Sequence, residues 1–233
     1  ILLSGQKRVN PTRKWPVRGV SRRTESCPVN PAAIKRRQRA GLPDKDKSLM
    51  AVTEKLTLVL KTGGTIPAIA KEWGDFEDWI FDAMSVPEAQ SLCISVFEGE
   101  PLPDIASLSS IVITGSPAMV TQDLQWIRQS QEYILEVIEA GLPVLGICFG
   151  HQLLAHTLGG KVDWHPGGRE IGTTNVSLTR HAEDDELFGD LVNNFPVHTT
   201  HMQTVTNLPA GTRVLANNQF EAHHALRFRE RVW

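Results

Sequence analysis

Apolar residues along this chain follow two spacings, short unbroken runs and 3.6-residue stripes, and the order in which they alternate predicts the architecture. Residues 56–60, 91–97, 110–114 and 144–147 are short apolar runs rich in β-branched side chains, as expected of strands covered on both faces. Helical stretches separate them. Asp75 stands as an N-cap ahead of Phe76, Trp79, Ile80 and Ala83 on one face. Residues 123–140 carry Leu124, Ile127, Ile134, Leu135 and Ile138 as a stripe to be buried, and Gly141 with Pro143 ends that helix. A further helix, 149–158, stops at Gly159-Gly160. Repeated strand–helix–strand units imply right-handed parallel crossovers, so the chain reads as α/β, a doubly wound, mostly parallel sheet with flanking helices. After Gly160 the texture becomes alternation: 161–164, 172–178, 195–203 and a hairpin of 213–217 with 221–228 are expected as a small antiparallel section. A short helix is expected from acidic Glu183 to Leu191.

The junction of the fourth run and the third helix carries the candidate chemistry. Cys148 lies between Gly146 and Gly150, where a strand turns sharply into a helix. Such an elbow holds a nucleophile exposed at the C-terminal edge of a sheet, and glycines two residues either side let neighbouring backbone crowd the strained turn. A cysteine at a helix N-terminus also gains from the positive end of the dipole, which favours thiolate. A free cysteine is most often a buried structural residue, but the glycine spacing favours the nucleophile.

The run Gly146-Ile147-Cys148-Phe149-Gly150-His151-Gln152 resembles the nucleophile motif of the class I (triad) glutamine amidotransferases, as in the glutaminase domains of GMP synthase and carbamoyl-phosphate synthase. The resemblance extends more loosely from about residue 56 to the C-terminus, and it implies a flavodoxin-like sheet. By that resemblance Cys148 attacks the side-chain amide of L-glutamine, giving a glutamyl thioester, ammonia and then glutamate. The family's Gly-Gly-Pro oxyanion loop corresponds to Gly115-Ser116-Pro117, with Ser116 in the second glycine's place. Backbone N–H groups of Ser116 and Phe149 would form the oxyanion hole. Gly115, Gln152 and the segment Thr200-His201-Met202-Gln203 would hold the substrate, through Thr200, Met202 and Gln203, although Met202 replaces a glycine there. The family's base and its orienter come from a late His-Pro-Glu motif. The sequence ends at Arg231-Val232-Trp233, where that strand begins, so the expectation is a C-terminally incomplete domain impaired in turnover. The alternatives are a non-catalytic glutamine-binding or interaction protein, and a cysteine hydrolase of another γ-glutamyl substrate.

Other segments change this picture little. Thr62-Gly63-Gly64-Thr65-Ile66 also resembles the N-terminal signature of L-asparaginases, but that family's Asp-Gly-Thr-Asp segment is absent, and a loop closing over the nucleophile's edge fits better. His198 and His201 form a lone His-x-x-His without a suitably spaced carboxylate, so neither a metal nor any other cofactor is expected. His223 and His224 are placed on the strand preceding the chain end, and His151 on the elbow helix as a structural residue.

Charge divides the chain. Residues 1–49 hold 13 Lys and Arg against 3 acidic residues; of 24 basic and 26 acidic residues in all, the remainder keeps 11 and 23. The first segment is read as a basic, disordered leader or arm (1–49), the second as an amidotransferase-like domain (50–233). A nucleic-acid tether and an organellar transit peptide are the functional readings of the arm, and a leader foreign to the working protein is preferred to both, so no nucleic-acid partner is expected. Three distant cysteines give no disulfide framework and suit a reducing cytoplasm. No run of 18 apolar residues occurs, so no membrane partner is expected. The expected partners are L-glutamine and a separate synthetase that accepts the ammonia.

Overall fold

The computed structural model describes residues 55–233; the basic segment 1–49, with Cys27, lies outside the described residues. Four parallel strands form the central sheet: β1 (Leu56–Lys61), β2 (Ser91–Ser95), β3 (Leu108–Ile113) and β4 (Val144–Gly146). Their order is β2-β1-β3-β4. Four helices accompany them: α1 (Pro67–Trp73), α2 (Phe76–Met84), α3 (Gln125–Glu139) and α4 (Phe149–Thr157). Leu58, Leu60, Ile111 and Ile113 join the core built by α3 and α4, while Val59 and Val112 face Ile80 of α2 on the other side. Both faces are therefore covered, which explains unbroken apolar runs in place of alternation. The crossovers from β1 and from β3 leave in opposite directions, so a crevice opens between the C-terminal ends of these two neighbours.

At the far side of β4 the chain returns. Val144 N–H donates to Arg231 O (2.9 Å), Trp233 N–H to Val144 O (2.9 Å) and Gly146 N–H to Trp233 O (2.8 Å). Residues 231–233 thus run parallel to β4, toward the elbow that follows it.

The second section is antiparallel. Strands β6 (Glu170–Leu178), β7 (Phe195–His201), β9 (Arg213–Asn217) and β10 (Ala225–Arg227) form a sheet in the order β10-β9-β6-β7, and β5 (Lys161–Trp164) pairs with β8 (Gln203–Asn207). Leu145 of β4 packs against the small core of this section, bringing the antiparallel strands beside the elbow.

Four expectations need correction. Helix α3 starts at Gln125 because Asp123 adopts φ 49°, and its buried residues are Ile127, Ser130, Tyr133, Ile134 and Val137. Leu124 and Leu135 are exposed at 40% and 36%. Two polar residues displaced the apolar reading: Ser130 Oγ donates to Trp126 O, and Tyr133 Oη to Pro103 O, so neither is left unpaired by burial. No helix forms over 183–191. The buried Asp185 carboxylate accepts from the N–H of Leu187 and Phe188 and from the Trp233 indole, and pairs with Arg227, which holds the segment in turns. The run 91–97 ends as a strand at Ser95, and Val96–Glu98 is a 3-10 turn. His223 and His224 lie in the turn before β10, where Asn218 Oδ1 accepts from Phe220 and Glu221 N–H and Glu221 Oε1 from His223 N–H.

Candidate functional site

The elbow is strained at one residue. Cys148 is the N-cap of α4 with φ 54° and ψ −102°, a conformation disfavoured for any residue with a Cβ. Its neighbours allow it only because they are glycines. A Cβ on Gly146 would stand 2.5 Å from Gly150 C and O, and one on Gly150 would stand 2.5 Å from Ile113 O. Two backbone bonds from the elbow to β3 hold the turn, Ile147 N–H to Ile113 O (2.9 Å) and Gly150 N–H to Thr114 O (3.2 Å).

The sulfur is only partly accessible. It lies 3.8 Å from Thr200 O, as a thiol donating to that carbonyl. Burial pushes the Cys148 thiol up from its ordinary range, by more than the neighbouring Phe149 N–H lowers it. None of the described histidines hydrogen-bonds to the sulfur.

The loops after β1 and β3 close the same corner. A Cβ on Gly115 would stand 3.7 Å from Cβ of Cys148, and one on Gly63 would meet Pro117 Cδ at 2.6 Å. Ser116 keeps a negative φ, so a side chain is tolerated where the family resemblance has glycine. Its hydroxyl is turned into the loop, donating to Thr62 O (2.7 Å) and accepting from Ala118 N–H (3.1 Å). Thr62, itself buried, bonds through Oγ1 to Thr114 O (3.0 Å) and Gly115 O (3.1 Å).

The other predicted site residues divide. The Thr200 carbonyl faces the thiol. Met202 is half-buried, with its carbonyl taken by His165 N–H and its sulfur 3.0 Å from Arg169 Nη2. Gln152 and Gln203 are buried and hydrogen-bonded: Gln152 Nε2 donates to Gln203 O (2.7 Å), and Gln203 Nε2 to Thr121 Oγ1 (2.8 Å). His151 lies against the Phe228 ring, its pKa pushed down to about 3 by burial, with further repulsion from His223 and other neighbouring histidines. His198, on the opposite face of β7 from His201, bonds only to Thr173 Oγ1 (3.0 Å). Among the described residues no cluster of three or more metal-ligating side chains occurs.

Residues 94–232, well over half of the chain, match the glutamine amidotransferase class-I family. The chain belongs to this family. GMP synthase from Porphyromonas gingivalis is 34% identical over 155 residues, 65% of this chain and 28% of that protein. A glutamine-hydrolyzing GMP synthase subunit from Methanopyrus kandleri is 31% identical over 150 residues, 64% of this chain and 73% of that protein. Gamma-glutamyl peptidase 4 from Arabidopsis thaliana is 35% identical over 115 residues, 48% of this chain and 46% of that protein. A glutamine amidotransferase-like protein from Schizosaccharomyces pombe matches over 46% of its length, so this chain spans less than half of several curated relatives. The crystal structure of a glutamine amidotransferase from Thermotoga maritima superimposes with a TM-score of 0.63 at 20% identity, over 76% of this chain and 73% of that one, and shares the amidotransferase fold. Among the described residues no helix is long and apolar enough to cross a membrane.

Sequence reasoning overlooked Glu170 and Asn218, and named Thr62 only as part of its loop. Glu170 Oε2 lies 2.8 Å from His201 Nε2, and its Oε1 accepts from Asn218 Nδ2 (2.7 Å). These partners are 31 and 48 residues away in the chain, so no local spacing could have shown them.

Proposed function

We propose that this domain acts on the side-chain amide of L-glutamine, with Cys148 as nucleophile. One observation carries the reading: a cysteine held at φ 54° at the head of a helix, with the Gly115-Ser116 loop against its Cβ. In the reaction Cys148 Sγ bonds to the amide carbon and the carbonyl oxygen becomes an oxyanion, held by the N–H groups of Phe149 and Ser116. The C–N bond then breaks, ammonia leaves with the proton taken from the thiol, and water releases glutamate from the thioester. A thiol attacking an amide needs a base to take its proton. By the family resemblance that base comes from a late His-Pro-Glu motif; residues 231–233 run parallel to β4 toward the elbow. The M. kandleri relative is one subunit of a GMP synthase, which supports a separate synthetase as acceptor of the ammonia.

A glutamine-analogue diazoketone tests the assignment. It should add one equivalent to the Cys148 peptide, excess glutamine should protect it, and C148A should take up none. Label spread over Cys93 and Cys148 alike, or indifferent to glutamine, would refute the assignment. The Arabidopsis relative is a gamma-glutamyl peptidase, which supports a second reading in which the leaving group is an amine other than ammonia. Protection by γ-glutamyl dipeptides at concentrations where glutamine gives none would favour that reading.

A further inference from the structure

We propose that Glu170 is a positioning residue for the Cys148 thiol, acting through His201 to hold the Thr200 carbonyl against the sulfur. The proposal rests on the reading of Cys148 as nucleophile and adds a means by which its reactivity is set.

The path is continuous. Glu170 and His201 are directly opposed across β6 and β7, and Thr200 is the residue before His201. The chain bends at Met202 as it passes from β7 to β8, and the His201 ring spans that bend, with Nε2 on Glu170 Oε2 (2.8 Å) and Nδ1 on Gln203 O (3.1 Å). The same Gln203 carbonyl accepts from Gln152 Nε2 on the elbow helix (2.7 Å). The Thr200 carbonyl, 3.8 Å from the sulfur, is thus braced from both sides, through Gln152 to the elbow helix and through His201 to Glu170.

A backbone carbonyl and a carboxylate can only accept, so each contact is made by a ring N–H of His201, and a ring carrying both protons pairs with Glu170 as well as bonding to it. The groups around this pair are Glu221, whose Oε2 is 4.0 Å from His201 Nδ1, His224, whose Nε2 is 3.2 Å from Glu170 Oε2, and His165, whose ring meets that of His201 edge-on. Burial works against the Glu170 carboxylate, but the bonds from Asn218 and His201 outweigh it and hold its pKa below the usual range. Burial lowers the His224 pKa despite that carboxylate.

A carbonyl that accepts from S–H favours the thiol over the thiolate. Releasing Thr200 should therefore make Cys148 more acidic. Iodoacetamide alkylation of the Cys148 peptide, followed by mass spectrometry from pH 6 to 10, reads this directly and needs no glutamine pocket. It reports whether or not the diazoketone reacts, so failure of the nucleophile reading is seen separately. In E170A the alkylation midpoint should move to lower pH, with the rate below the midpoint rising roughly two- to tenfold, the worth of one net hydrogen bond. In E170Q the amide N–H can donate to a neutral His201 Nε2 while Oε1 keeps Asn218, so the profile should stay within about twofold of the parent. H201Q, which leaves Glu170 bonded to Asn218, should repeat the E170A shift and supplies the test should E170A not fold. An unmoved midpoint in E170A and H201Q, with only the melting temperature lowered, would overturn the proposal. So would an E170Q profile matching that of E170A, because charge and not placement would then be the cause.

Discussion

At the scale of single residues, the elbow depends on three positions with different tolerances. Cys148 occupies a backbone conformation that glycine adopts at lower cost, so C148G should be more stable than C148A by about 1 kcal/mol, the strain relieved less the added chain entropy. Paired denaturant titrations would measure the difference, and C148A equal to or above C148G would mean that the turn stores no strain. Gly150 has the opposite character, because any Cβ there is driven into Ile113 O at 2.5 Å. G150A should lose about 1–3 kcal/mol, the usual cost of overpacking, and should shift the turn that carries Cys148. A G150A protein with parental stability and an unchanged alkylation profile at Cys148 would contradict the close approach. Ser116 is the third: a serine in a glycine position looks doubtful until its negative φ shows that no glycine conformation is needed there.

At the scale of elements, the helices differ in what holds them. Asp75 caps α2 through a capping box, accepts from Thr65 N–H (2.7 Å) and pairs with Lys61 Nζ at 2.9 Å. Burial opposes the charge on Lys61, yet its bonds to Glu77 and Asp75 raise its pKa above the ordinary value. Asp75 therefore ties the start of α2 to the end of β1 and to the loop beside the site. D75A should cost about 0.5–2 kcal/mol, the range for a lost cap, while D75N should recover part of that through its side-chain oxygen. Thermal melts of the two variants would settle the order, and D75A indistinguishable from the parent would remove the cap from the account. The cap, the strands and the elbow were legible because each follows from residues within a few positions of one another. The buried face of α3 and the turns at 183–191 were not, because Tyr133–Pro103 and Asp185–Trp233 are contacts 30 and 48 residues apart.

At the scale of the whole molecule, acid should loosen the domain in two stages. The pKa of His151 in the folded chain, about 3, lies below its ordinary value of 6.5, so the unfolded chain takes up that proton first. Stability attached to this group is complete above pH 6.5 and falls as pH drops toward 3, by at most about 1.4 kcal/mol per unit. His224 is lowered in the same sense. Asp75 and Glu170 are held low as carboxylates, and what they contribute is lost only further down, as pH falls through their folded values. Melting temperature should therefore decline already between pH 6.5 and about 5, and H151Q should flatten that decline. An equal slope in H151Q would place the proton uptake elsewhere.

Sequence alone determined the parallel α/β core, the sharp turn at Cys148 with its flanking glycines, and the amidotransferase family, because runs, caps and motifs are local and each needs only its own neighbours. Tertiary structure alone decided how the thiol is kept. The carbonyl at its sulfur comes from Thr200, 52 residues further on, and that carbonyl is held by a brace from Gln152 through Gln203 and His201 to Glu170. Whether a buried sulfur rests as thiol or thiolate depends on the water removed and the dipoles left facing it, and both arise only when distant strands have packed.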